Sequence, residues 1–189
     1  MAIALTVYSV PWDELRAIPG SRRRKPVADI ERHYGPRQSL DEMFGKAGSP
    51  LTLGEAVRQI IDGADLDPGW GTVYAYAVEA MCWSLGTMFE GQLLRREREA
   101  MDRFLEPRRC PVRLWDLGSR GSPVPIPEPG NPPSVGYWTP QEVSEAGPFF
   151  EEVSLEGAGQ RITRGVEEIN RWLEEAFEHD SDGLVGFEY

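Results

Sequence analysis

The chain is poor in the residues that metal and redox chemistry draw on. It has two cysteines, Cys82 and Cys110, and two histidines, His33 and His179, among 189 residues. Two thiols make no disulfide framework and suit a reducing compartment. Neither histidine has a cysteine or a second histidine at ligand spacing, so no metal and no cofactor is expected. Long apolar runs are missing too, and none approaches the roughly 20 residues of a membrane helix. Met1–Val10 lacks the basic start and small-residue cleavage site of a signal peptide. A cytoplasmic protein with no membrane partner is the expectation. Gly45-Lys46 lacks the preceding glycine and following Ser or Thr of a phosphate loop, and no Gly-x-Ser-x-Gly elbow occurs. Basic charge is scarce in one region above all. Residues 121–189 hold 3 Lys/Arg against 14 Asp/Glu, whereas residues 1–120 hold 17 of each. The whole net charge of −11 therefore sits in the last 69 residues.

What is present describes a globular chain. Hydrophobic residues make up 40%, with six Trp, seven Phe and six Tyr. That supplies a core for one domain over 1–189 without staples. Ile3, Leu5 and Val7 alternate with Ala4, Thr6 and Tyr8, the period of a strand. Pro11 opens a short helix to Ile18, and a second short helix is expected over Val27–Tyr34. Ser39-Leu40-Asp41-Glu42 and Thr52-Leu53-Gly54-Glu55 both read as capping boxes. The second leads a helix with Leu53, Val57, Ile60 and Ile61 on one face, stopped by Gly63. Thr72–Leu85 is apolar nearly all the way round and predicts a central helix.

Phe89–Leu105 predicts a salt-laced helix, with Arg95–Glu99, Arg98–Asp102 and Glu99–Arg103 spaced i,i+4. Val112 and Leu114 flank Arg113 as in a strand. Residues 121–133 form a Pro-rich loop in which Pro123, Pro125 and Pro127 alternate, a pattern that suits an edge strand. Left mobile and exposed instead, this loop would suit an aromatic groove. Val135–Trp138 is a short strand. Thr139, Pro140 and Glu142 then give three agreeing helix-start signals, with Gly147-Pro148 expected to break or restart that helix. Ile162, Val166, Ile169, Leu173 and Phe177 define an amphipathic last helix, and Leu184–Tyr189 returns as a strand. The expected fold is α+β: a small mixed or antiparallel sheet packed by several amphipathic helices.

Gly136-Tyr137-Trp138-Thr139-Pro140-Gln141-Glu142-Val143 resembles a stretch of a bacterial family of unknown function, the YfbM-like proteins and their uncharacterised relatives. The opening strand and helix, Leu5 to Ile18, and the closing helix and strand, Ile162 to Tyr189, occur there in the same order. Leu53-Gly54-Glu55-Ala56, Ile61-Asp62-Gly63 and Tyr74-Ala75-Tyr76-Ala77 resemble patterns of the closer relatives. The resemblance implies an α+β fold and brings no activity, cofactor or catalytic residue with it.

The candidate chemistry is thin. Asp62, Asp65 and Asp67 form an Asp-rich turn, and Asp180-Ser181-Asp182-Gly183 has its glycine too early for a calcium loop. Turn chemistry accounts for both. Arg22-Arg23-Arg24-Lys25 is a small basic footprint on an acidic chain, so no nucleic-acid partner is expected. Glu79 is the one charge in the apolar helix. It must reach solvent, find an arginine or shift its pKa upward. With Trp83, Trp70, Tyr74, Tyr137 and Trp138 it could line a pocket for a small ligand, with or without catalysis. The leading expectation is a non-enzymatic binding protein, immunity- or antitoxin-like. It would dock a basic partner on an acidic face made by Glu167, Glu168, Glu174, Glu175 and Glu178. The plain alternative is that this face is only solvated.

Overall fold

Strand β1, Ala4–Pro11, lies inside the sheet and divides its side chains between two cores. Leu5 and Val7 point to one side, Tyr8 and Val10 to the other. The computed structural model describes residues 4–22, 30, 38–89, 93–179 and 181–189. The expected helix over Val27–Tyr34 (Ile30 apart), His33, residues 23–25 of the basic loop and Asp180 lie outside the described residues.

On one side β1 pairs antiparallel with β5, Asp182–Glu188, from Leu5 opposite Glu188 to Pro11 opposite Asp182. Strand β4, Ser134–Trp138, continues the sheet beyond β5. On the other side of β1 lie the short strands β2, Thr87–Met88, and β3, Leu93–Leu94. The order is β2-β1-β5-β4, with β3 also beside β1, and the described pairings are antiparallel. The fold is α+β, as expected.

One face of the sheet is covered by α1 (Trp12–Arg16), α2 (Gln38–Lys46), α3 (Leu53–Asp62) and α4 (Gly71–Leu85). The other is covered by α5 (Arg95–Leu105), α6 (Asp116–Ser119), α7 (Pro140–Glu152) and α8 (Gln160–Phe177). With helices on both faces, every residue of β5 is buried. Burial of a side chain such as Phe150 or Phe187 contributes about 1.5–3 kcal/mol.

The Thr52 and Thr139 boxes form as read. The Thr139 N–H donates to Glu142 at 2.8 Å, and the Glu142 N–H donates back to Thr139 Oγ1 at 3.3 Å. Gly63 ends α3 with φ of 69°. Ser39 lies inside α2 and not ahead of it, where the box reading places it. The Asp41 carboxylate instead accepts the Leu53 N–H at 2.8 Å, in the next helix.

Four other expectations also give way. The salt-laced helix starts at Arg95, since Leu93 and Leu94 pair with β1 and the Phe89 N–H donates to Val7. Val112 and Leu114 are buried and Arg113 exposed, as a strand would place them. Yet the Leu114 and Trp115 N–H groups donate to the Asp102 carboxylate at 2.8 and 3.0 Å, which turns the chain into α6. The Pro-rich segment is not an edge strand, and part of it is packed down. Val124 is buried, and the backbone at Pro127 and Glu128 packs against Gly71 at the start of α4. Helix α7 runs through Pro148 to Glu152. Pro148 and Ser144 both face solvent, so water can serve the carbonyl that proline leaves without a donor.

Candidate functional site

The acidic third folds into two packed helices, α7 and α8, each burying an apolar stripe. On α7 the exposed stripe is Gln141, Ser144, Glu145, Pro148, Glu151 and Glu152. On α8 it is Arg161, Arg164, Glu167, Arg171, Glu174, Phe177 and Glu178. The three basic residues of the last 69 thus all lie on α8, and the acid gathers towards its carboxyl end. Phe177 was expected to face inward. It is 41% exposed, and its ring lies on Gly147 of α7, where a Cβ would overlap it. Trp172 takes the buried position in its place.

The five predicted carboxylates divide. Glu167, Glu174 and Glu178 are exposed. Glu168 is not available as a free docking charge: it pairs with Arg171 and accepts the Trp172 indole N–H at 3.2 Å. Glu175 is half-buried near Asp182. Burial raises the Asp182 carboxyl, and the Ser9 hydroxyl, which donates to it at 2.9 Å, opposes that shift. Further forward, Glu142 is locked by the Arg120 guanidinium at 2.6 and 2.7 Å.

Glu79 lies on the opposite side of the sheet. It is buried in α4, and the Tyr8 hydroxyl donates to Oε1 at 3.1 Å while the Tyr189 hydroxyl donates to Oε2. Burial, then the Glu79 charge, raises the Tyr76 and Tyr189 hydroxyls and the Cys82 thiol above their ordinary values. Both tyrosines therefore stay protonated, Tyr189 as a donor to Glu79, and Cys82 stays a neutral thiol rather than a nucleophile. Of the other predicted pocket residues, Tyr74, Tyr137 and Trp138 make their described contacts elsewhere. Tyr74 donates to Gln59 at 2.6 Å and accepts the Asp67 N–H at 3.3 Å, tying α4 to the turn before it. Trp70 and Trp83 pack partly exposed against the same core. Tyr137 stacks on Trp12 at 5.2 Å, with the Arg120 guanidinium 4.6 Å from its ring centre. Trp138, the next residue along β4, points through the sheet into the other core and donates its indole N–H to Arg113 at 3.0 Å.

One polar cluster escapes sequence reading. Arg98 is fully buried and its Nη2 lies 2.5 Å from Glu188 Oε1, with Arg95 Nε 3.4 Å from the same oxygen. The Arg95 guanidinium covers the Trp115 ring at 4.9 Å. Burial lowers the Arg98 guanidinium, and the Glu188 charge opposes that shift. Burial raises Asp102, against the pull of its two backbone donors. Helical spacing assigned Arg98 to Asp102, but Arg98 meets a residue 90 positions away. The only local signal was a glutamate in an otherwise apolar closing strand.

Among the described residues no group of three His, Cys, Asp or Glu is placed to hold a metal ion, and no helix is long and apolar enough to cross a membrane. No curated protein and no solved structure matches the chain. A family model does match, over residues 1–189, and by that match the chain belongs to the family described as domain of unknown function DUF7691.

Proposed function

We propose that this protein is a non-enzymatic binding protein that docks a basic protein partner on the α7–α8 face. The observation that carries the reading is the ring of exposed carboxylates, Glu145, Glu151, Glu174 and Glu178, on two helices that also expose Phe177 and Pro148. Interfaces gain affinity from a desolvated aromatic centre and on-rate from charge at the rim. Glu167 extends the rim along α8, and Arg161 and Arg164 mark where it ends. An immunity- or antitoxin-like role in the cytoplasm is one form of this reading, and kinship with YfbM-like proteins is a proposal of the same standing. The order of the opening and closing elements supports that kinship. The small-ligand reading at Glu79 is weaker, because both carboxylate oxygens are occupied by tyrosine hydroxyls.

The test is affinity capture followed by kinetics. A basic partner should be recovered, and Glu167→Gln, Glu174→Gln and Glu178→Gln together should slow association and flatten its salt dependence. Arg161→Gln with Arg164→Gln should leave association as fast or faster. Recovery of neutral or acidic partners alone would overturn the proposal.

A further inference from the structure

The carboxyl end of α5 and the turn leading into α6 form a half-open surface cavity of about 270 Å³. Its apolar lining is Leu105 and Val112, both buried, with half-buried Trp115 and Cys110. Three charged side chains, Arg103, Arg113 and Glu106, are exposed at its rim. Asp102 also lies in the wall, but its two oxygens each accept a backbone N–H. Glu106 is 4.0 Å from Arg113, a loose pair with both side chains about three-quarters exposed. A pair of that kind is held weakly and exchanges readily for a better partner. The cavity thus combines an apolar body with two guanidiniums and two carboxylates, Asp102 held by backbone donors and Glu106 loosely paired with Arg113. Small-molecule sites are built this way, with apolar walls and a few polar groups that fix orientation.

We infer that this cavity binds a small aromatic carboxylate. The ring lies against Leu105, Val112 and Trp115, and the carboxylate takes charge-assisted hydrogen bonds from Arg113 and Arg103. A cation of the same shape meets two like charges, and of the two carboxylates it would seek, Asp102 already accepts a backbone N–H at each oxygen; a neutral amide forfeits the ionic part. The site lies on α5 and its following turn, apart from the α7–α8 docking face, and does not depend on that reading.

Cys110 makes the test direct. It lines the cavity, whereas Cys82 is fully buried. Burial pushes the Cys110 thiol up to about 11, so its alkylation is slow and easily timed. The alkylation rate by iodoacetamide is measured at mildly alkaline pH with indole-3-acetate, indole-3-acetamide and tryptamine. These share one ring system and differ in charge. Indole-3-acetate should protect Cys110 saturably, with the amide and the amine about tenfold weaker or more, the loss of one charge-assisted pair. Arg103→Gln and Arg113→Gln should remove that preference. Both residues are exposed, so the fold should survive, and unchanged circular dichroism checks this. In parallel, the acid should raise the thermal midpoint of the wild type alone. Equal protection by tryptamine or the amide, protection that persists in both arginine variants, or no protection at millimolar acid would each overturn the inference.

Discussion

Arg98 and Glu188 bring opposite charges into the layer between α5 and the sheet, where neither reaches water. Removing Arg98 takes away the nearer partner of Glu188 and leaves it only Arg95 at 3.4 Å. Arg98→Met should therefore cost about 3–5 kcal/mol in urea denaturation. Adding Glu188→Leu should restore most of that loss, because an apolar pair avoids the desolvation of two ions. A double variant as unstable as the single one would show that packing, not charge, dominates the site. Two glycines constrain the same face by size alone. Gly136 and Gly186 pair across β4 and β5, and a Cβ at either would overlap the backbone of Asp116 or Leu117 in α6. Gly186→Ala should lower stability by about 1–3 kcal/mol, the usual cost of overpacking, read as a shift in the urea midpoint. No shift would mean that α6 moves away freely. At this scale the sequence was readable where a residue broke its own local pattern. Glu79 in an apolar helix stood out as a carboxylate in need of solvent, an arginine or a shifted pKa, and the structure buries it against two tyrosine hydroxyls. Arg98 did not stand out, because a charged residue on a charged helix looks solvated until the partner strand is in place.

The elements owe their boundaries to caps that act within a few residues. Thr139→Ala should cost about 1 kcal/mol, since it leaves the Glu142 N–H without its acceptor at the start of α7. The same box makes a pH prediction. Burial pushes the Glu142 carboxyl up, but the Thr139 N–H and the Arg120 guanidinium outweigh it and hold the group below its ordinary range. Glu55 is lowered too, chiefly by the Thr52 N–H. A carboxylate depressed in the folded state stabilises above its unfolded pKa, and that stability is lost as pH falls through the folded value. Asp102 and Asp182 are raised by burial and act with the opposite sign, losing their contribution as pH rises through the folded value. Glu142→Gln should thus lower the urea midpoint at neutral pH and flatten its fall on the acid side. Parallel pH curves for variant and wild type would contradict this. Such caps were legible because donor and acceptor lie three residues apart. Asp102 was misread, and Asp41 given no role, for the complementary reason: each accepts from a backbone twelve or thirteen residues away.

Over the whole molecule the charge of −11 opposes compaction. Sodium chloride should raise the thermal midpoint, because screening over about 8 Å at 0.15 M relieves repulsion among the exposed carboxylates of α7 and α8. A flat or falling midpoint would mean that their ion pairs with Arg120 and Arg171 outweigh the repulsion. The charge asymmetry was plain in the sequence, but its placement was not. Helix packing puts Glu168 against Trp172, buries Glu188, and spreads Arg161, Arg164 and Arg171 along α8. The sequence by itself determined the α+β composition, the period of each main strand and helix, and the Thr52 and Thr139 starts. Those follow from side-chain periodicity and from bonds within one helical turn. Only the tertiary structure decided the strand order, the use of both sheet faces, the exposure of Phe177, the Arg98–Glu188 pair and the cavity beside Trp115. Each of these joins residues far apart in the chain, and such contacts leave no local pattern because their geometry exists only once the sheet has closed.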